Sequence, residues 1–354
     1  MKSDVYFIEA KESRLQARYA ALLKLINKIS GLLPYQENEF IPLKITIGDS
    51  RCIYNINPEF IKPLVRLIKN TKGAKPFLFD TNVIYHGERQ NAVDHLNLVQ
   101  SKGFGITRTG APYIVADGLL GQDGKEFTIN SKYISKIRVP SFVGMLDNLL
   151  VISHATGHIL TGFASSIKNV AMGMVCRSTK LAQHSSIRPH IIKEKCTKCG
   201  LCVQACPVEA ISDKSYKAVI DTDKCVGCGE CLCACRFDAI FIHWEDDDDL
   251  FARRLIDTAK FVISKFKHKF FINFAFDITK ECDCISTKTE KMVASNIGIL
   301  ASSDILSLDK ATLDLIMKSS PHFIKERPSG VYSKMFEYAR EAKLGNIEYN
   351  LIKL

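Results

Sequence analysis

The sequence predicts an α/β protein, a mainly parallel sheet with flanking helices, interrupted by a cysteine-rich segment of different character. Three observations lead there. Short apolar runs alternate with longer amphipathic stretches. That alternation stops near residue 187 and resumes after residue 246. Nine of the thirteen cysteines fall between Cys196 and Cys235.

Before the cysteines, residues 43–47 read as a strand. From Pro58 to Lys72, the apolar residues Phe60, Ile61, Leu64, Val65 and Ile68 recur at helical spacing, and Gly73 ends the helix. Residues 77–79 form a second strand, and residues 91–102 a second helix stopped by Gly103. Residues 113–116 and 149–152 are further buried strands. After the cysteines, the run from Glu245 through Asp246, Asp247, Asp248 and Asp249 opens an amphipathic stretch with Leu250, Leu255, Ile256, Val262 and Phe266. Acid residues at a helix start complement its dipole and need no metal to explain them. Strands follow at 270–274 and 297–300, and helices at 309–317 and 332–342. Strands separated by helices imply a sheet covered on both faces. The expected organisation is an α/β domain whose first part is 1–186, a cysteine module at 187–246, and a second α/β part at 247–354.

In such sheets ligands bind beyond the carboxyl ends of the strands. Here those ends carry Gly48-Asp49-Ser50, Asp80-Thr81-Asn82, Asp117-Gly118 and Ser153-His154. Any one of them could merely turn the chain. Several along one edge predict a pocket.

Apolar residues make up 46% and charged residues 24% of the chain, an ordinary globular composition. No apolar run reaches the ~18–20 residues of a membrane span. The longest candidate, residues 142–152, is broken by Asp147 and Asn148. The start, Met1-Lys2-Ser3-Asp4, lacks the apolar core of a signal peptide, so a cytoplasmic protein is expected. An odd number of clustered cysteines in a reducing compartment argues for metal ligation over disulfides.

The cysteines form two runs. Cys196, Cys199, Cys202 and Cys206, followed by Pro207, repeat as Cys225, Cys228, Cys231 and Cys235. Three thiolates at intervals of three, in a loop that turns at each step, reach three corners of an iron–sulfur cubane. The remote fourth thiolate of each run ligates the other cluster. Cys196, Cys199, Cys202 and Cys235 are therefore assigned to one [4Fe-4S] cluster, and Cys225, Cys228, Cys231 and Cys206 to a second. Zinc suits a single Cys-x-x-Cys pair, but eight cysteines in this doubled register disfavour it. The segment resembles the two-cluster bacterial ferredoxin over about sixty residues, which implies a 2[4Fe-4S] ferredoxin-like α+β module. Gly200, Gly227 and Gly229 suit its tight loops, and Ala210-Ile211 matches Ala239-Ile240. Arg236 stands where the second motif usually has proline, and Cys233 is additional, read as a buried thiol.

The flanking sequence carries a wider resemblance. Asp80-Thr81-Asn82, Arg89, residues 91–95, Asp117-Gly118-Leu119, Ser153-His154 with Gly157-His158, Ile167-Lys168-Asn169, Cys282-Asp283-Cys284 and residues 297–302 occur in order. Together they are similar to the Fe–S-centre proteins of the domain of unknown function 362 (DUF362) family. The resemblance implies the α/β arrangement with an inserted ferredoxin, and supplies no settled reaction. Residues 303–309 depart from the family's usual Asp-Pro-Val-Ala-Ile-Asp.

Cys176, Cys282 and Cys284 are candidates for a third metal or cluster. Residues two apart in extended chain share a face, so Cys282 and Cys284 can grip one ion, and Cys176 could add a third thiolate. Three protein ligands leave a position open for chemistry. His154, His158 and His184 are candidate further ligands or acid–base groups, and Lys168 a candidate anion site. Buried structural thiols, hydrogen-bonded core histidines and a snorkelling lysine are the alternatives. No Walker loop or Gly-x-Ser-x-Gly elbow is present. Gly103-x-Gly105-x-x-Arg108 lacks the third glycine of a dinucleotide fingerprint.

The net charge of +10 suggests nucleic acid at first sight. Two clusters at about −2 each bring it to about +6, and the basic residues lack interleaved aromatics. A redox partner protein is the better match for that face. The function expected is electron transfer to or from a site on the α/β domain, which would make the protein an oxidoreductase with a small-molecule substrate. The alternatives are a non-enzymatic electron carrier or adaptor docking a partner oxidoreductase, and a protein whose clusters hold the fold or sense oxygen.

Overall fold

A computed structural model describes residues 2–85, 87–184, 188–213, 216–225, 227, 229–242, 248–284, 291–323 and 331–354. Cys228, the side chain of Cys233 and the acidic residues Glu245, Asp246 and Asp247 lie outside the described residues.

From the N-terminus run β1 (Ser3–Glu9), α1 (Leu15–Ile29), β2 (Phe40–Ile45), α2 (Ile61–Lys69), β3 (Lys75–Asp80), α3 (Ala92–Ser101), α4 (Ile106–Thr109) and β4 (Tyr113–Val115). A hairpin of β5 (Lys125–Thr128) and β6 (Lys136–Val139) precedes β7 (Asn148–His154). A second hairpin, β8 (Thr156–His158) and β9 (Gly162–Ala164), leads into α5 (Ser166–Gly173) and α6 (Arg177–His184). Six short elements follow: β10 (His190–Ile191), α7 (Leu201–Gln204), β11 (Ile211–Ser212), β12 (Val219–Ile220), α8 (Glu230–Ala234) and β13 (Ile240–Phe241). Then come α9 (Asp248–Ser264), β14 (His268–Ala275), β15 (Gly298–Ser302), α10 (Ile305–Ser319), α11 (Val331–Glu341) and β16 (Tyr349–Lys353).

Eight strands make the central sheet, in the order β16-β1-β15-β14-β7-β2-β3-β4. Neighbours are parallel except at β15, which runs antiparallel to both β1 and β14. The expected mainly parallel sheet is present, and strands from before and after the cysteines share it. β7 shows why its strands read as continuous apolar runs. Leu149 and Val151 join the core under α5, α9, α10 and α11, whereas Leu150 and Ile152 join the core under α1, α2 and α3. Alternate residues of a strand face opposite sides, so each face needs its own apolar set. Among the described residues no helix is long and apolar enough to cross a membrane.

One local correction concerns α10. The last long helix, expected from residue 309, starts at Ile305 because Asp304 caps it, accepting from the amides of Leu306 and Ser307 at 3.0 Å. The segment that departs from the family's proline turn thus supplies its own helix start. Asp249, at the beginning of α9, accepts hydrogen bonds from Arg253 (3.1 Å) and Tyr338. These contacts fit the structural reading of the acidic run.

Asp309, inside α10, accepts hydrogen bonds from the amides of Ser166 (3.0 Å) and Ile167 (2.8 Å) and from Asn273 Nδ2 (2.8 Å). It therefore fixes the start of α5 against β14. Asp309→Ala is expected to destabilise by about 2–4 kcal/mol, since three buried donors lose their acceptor. Denaturant melts check this, and a loss below 0.5 kcal/mol would remove Asp309 from that role.

Candidate functional site

β2, β3, β7 and β14 are parallel, so their carboxyl ends meet on one edge of the sheet. A cavity of about 550 Å³ opens there, within the range of small-molecule sites. Asp80 and Thr81 reach it from β3, Ser153 and His154 from β7, and Cys282, Asp283 and Cys284 from the loop after β14. The β8–β9 hairpin adds His158, α5 adds Lys168 and Asn169, and α6 adds Lys180 and His184. The polar strand ends thus do line a pocket. Asp49 and Asp117 instead brace its walls. Asp49 accepts from Arg89 Nε at 2.6 Å, and Asp117 accepts from Asn82 Nδ2 at 2.9 Å.

Lys44, Asp80, Arg89 and Asp49 are buried and paired. Lys44 Nζ lies 3.0 Å from Asp80 and 2.5 Å from Asn169 Oδ1, with the Lys44 and Asp80 side chains both shielded from solvent. Gly173 lets the ammonium pass, because a Cβ there would collide with it. Burial opposes ionisation of Asp80, and Lys44, His95, Arg89 and Lys180 together overcome it and hold its pKa below the usual value. Lys180 donates to Thr81 Oγ1 (2.7 Å) and to the Asn82 carbonyl. His154 sits between the Asp283 carboxylate (3.1 Å) and the Phe276 carbonyl (2.8 Å). Burial disfavours its charge, but those two acceptors outweigh it and raise its pKa.

Lys168 has sulfur neighbours. Among the described residues no carboxylate forms an ion pair with it. Its Nζ lies instead 2.8 Å from Cys282 Sγ and 3.0 Å from Cys284 Sγ, and burial lowers its pKa to about 7. The two sulfurs are joined to one another as a disulfide. His158 presents a ring nitrogen to the same spot, so that one donor atom from each of His158, Cys282 and Cys284 lies within 4.8 Å of the others.

The structure does not bring Cys176 to that pair. Its thiol points to the Asp123 carbonyl (3.8 Å), outside the cavity, and burial pushes it up to about 12. Sequence reasoning also missed Lys44 and Lys180. Lys44 carried a signal, a lysine inside a strand that is apolar on both faces, where an unpaired charge is not tolerated. For Lys180 no signal exists, because only folding places α6 over the cavity.

Behind Asp80, His95 of α3 is buried, with its pKa pushed down to about 3 by burial and by Arg89, Lys180 and Lys44 against the opposing Asp80. His184 is pushed down to about 3 by burial and by Lys168. The unfolded chain takes up these protons near pH 6.5 while the folded one does not. Stability is therefore present above that pH and falls as pH drops, by about 1.4 kcal/mol per unit for each histidine. His95→Gln is expected to change the slope between pH 6 and 4 in guanidinium melts by about 1.4 kcal/mol per unit, the share of one histidine. An unchanged slope would refute the assignment.

The cysteine segment lies between α6 and α9 and has a small core of its own, with Cys196, Ile211, Ala218, Cys231, Ala239 and Ile240 buried together. It repeats at 29 residues. β10 and β12, α7 and α8, and β11 and β13 correspond. Lys198 and Gly227 share a left-handed backbone (φ 58° and 67°), as do Gly200 and Gly229 (77° and 78°). The amides of Ala210 and Ala239 donate to Cys206 Sγ (3.2 Å) and Cys235 Sγ (3.3 Å). Cys196, Cys199, Cys202 and Cys235 line one small cavity. Cys206, Cys225 and Cys231 are described, with Cys206 and Cys225 half-buried. Leu181 of α6 packs on Gly227 and Gly229, while Lys180 and His184 of the same helix face the large cavity. One helix, about 10–12 Å across, thus separates the two regions.

Among solved structures, the chain is similar to a structural-genomics protein from Thermotoga maritima (TM-score 0.45, 9% identity, 94% of this chain and 60% of that one). It is also similar to a lactate racemase apoprotein from Thermoanaerobacterium thermosaccharolyticum (TM-score 0.41, 11% identity, 78% and 51%). The chain spans less than two thirds of either. No curated protein matches it. The model of the family described as a domain of unknown function, DUF362, matches residues 41–314, well over half of the chain, and the chain therefore belongs to that family.

Proposed function

We propose that the chain is an iron–sulfur redox protein in which residues 196–235 hold two [4Fe-4S] clusters and the cavity at the sheet edge is where a small anionic molecule is oxidised or reduced. The observation that carries this reading is the cavity lined by Cys196, Cys199, Cys202 and Cys235, the four thiols that the doubled motif assigns to one cluster. The donor chemistry fits. Left-handed loop residues let successive cysteines face inward, and amides aimed at Cys206 and Cys235 stabilise thiolate sulfur. When bound, the clusters supply one-electron transfer. The chain supplies position: α6 carries Lys180 and His184 into the cavity and Leu181 against the loop of Cys225 and Cys231. The buried cations of the cavity favour an anion, and His154 with Lys168 can hold or release protons as charge changes. A cytoplasmic setting suits the exposed thiol of Cys199.

A second reading, a carrier that only exchanges electrons with a partner protein, is favoured by one observation. Tyr216, Val219, Phe237 and Phe241 are exposed on the cysteine segment and suit docking. Iron, sulfide and EPR measurements on oxygen-free protein test the shared claim, with about eight irons expected. Zinc, or no metal, at those cysteines would overturn both readings. Small-molecule turnover by the reduced protein separates them.

A further inference from the structure

We infer that Cys282 and Cys284 in their dithiol form, together with His158, bind a thiophilic divalent metal ion whose fourth position opens into the cavity. The inference concerns the cavity of the redox reading but does not need the clusters.

Geometry comes first. A zinc-like ion holds sulfur at about 2.3 Å and imidazole nitrogen at about 2.0–2.1 Å, so donors of one tetrahedral site lie about 3.5–3.8 Å apart. The two sulfurs are joined to each other, and His158, from the separate β8–β9 hairpin, already brings a ring nitrogen within 4.8 Å of both. The scaffold around them is tied. The amide of Gly157 donates to the Thr279 carbonyl (2.9 Å), which locks the β8–β9 hairpin to the cysteine loop, and Thr279 Oγ1 donates to Glu281 (2.7 Å). His158 Nδ1 accepts from the amides of Thr161 (3.1 Å) and Leu160 (3.3 Å) and lies 2.9 Å from Thr161 Oγ1, contacts that fix the orientation of the ring.

Chemistry selects the ion and its fourth ligand. Two thiolates and an imidazole prefer zinc or ferrous iron over magnesium or calcium. Three protein donors with a vacant fourth position are the pattern of catalytic sites. Two thiolates cancel the charge of a divalent ion, and the ammonium of Lys168, within 3.0 Å of both sulfurs, leaves the site positive. The ligand that completes the site from the cavity is accordingly an anion, a carboxylate or hydroxide. The disulfide must first open. Two equivalents of a small thiol yield both cysteine thiols and one small disulfide, and metal binding then displaces two protons.

The test uses the full chain, prepared without oxygen, cluster-reconstituted and reduced with a small thiol that is then removed. Zn²⁺ is titrated against a chromophoric chelator, with iron counted in the same sample. One zinc per chain is expected, with two sulfur neighbours at about 2.3 Å and nitrogen or oxygen as the rest by zinc X-ray absorption. The double variant Cys282→Ser/Cys284→Ser should lose binding at least 100-fold and His158→Asn at least tenfold, while Cys176→Ser keeps it. Zinc surrounded by four sulfurs in the wild type, zinc held equally by the double serine variant, or no zinc at all would overturn the inference. The wild-type absorption measurement decides even if a variant fails to fold. Missing iron with zinc retained would sink the redox reading and leave this one standing.

Discussion

Cys196→Ala and Cys235→Ala are expected to disable the same cluster, although they lie at opposite ends of the doubled motif. Each single variant should lower iron from about eight per chain toward about four, and the double variant should be no worse than either. Cys196→Ala combined with Cys206→Ala should instead lose nearly all the iron, because on the proposed assignment those two residues share a motif but serve different clusters. The physical basis is the shared cavity of Cys196, Cys199, Cys202 and Cys235, which does not include Cys206. Two thiolates of one cubane are not independent, since removing either exposes an iron corner, whereas thiolates of separate cubanes act additively. Iron analysis with EPR spin counts reads the pattern. Additive loss for Cys196 with Cys235 would show that each motif serves its own cluster and would end the crossed assignment.

Lys44→Met is expected to cost about 3–5 kcal/mol, because it leaves the Asp80 carboxylate buried without its 3.0 Å partner. The midpoint of thermal unfolding should fall by roughly 10 °C. The fold rather than the chemistry explains the size of this effect. Lys44 is fully buried, its neighbours Asn169 and Thr46 (3.2 Å) are neutral, and Arg89, 3.9 Å from Asp80, is held more closely by Asp49 at 2.6 Å. Adding Asp80→Asn to Lys44→Met should restore part of the loss, since a neutral amide has no unpaired charge to bury. A double variant whose cost equals the sum of its singles would mean that the pair is not coupled.

The consequence for the site follows from the same contacts. Asn169 lies one residue from Lys168 on α5, and Asp309 anchors the start of that helix. Lys44, Asp80, Asn169 and Asp309 therefore form a support that holds Lys168 against the sulfurs of Cys282 and Cys284. Such buried networks specify one arrangement only when each member is satisfied. Variants in the support should accordingly weaken anion or metal binding in the cavity together with stability.

Periodicity alone decided the strands β2, β3, β4, β7, β14 and β15, the helices α2, α3, α9, α10 and α11, and the placement of polar residues at one edge of a mainly parallel sheet. Those features are local, since apolar spacing reports which faces are buried, whatever covers them. The 29-residue cysteine repeat was equally legible, because the spacing of its cysteines is written along the chain. Other features were decided between distant segments. The reversed direction of β15 depends on pairing with β1 across almost the whole sequence. The replacement of Cys176 by His158 beside Cys282 and Cys284 depends on a hairpin tied to a loop more than a hundred residues away. Lys180 faces the cavity only because α6 packs over it. Spacing along the chain encodes faces, whereas which side chain completes a site depends on elements that meet only after the chain folds.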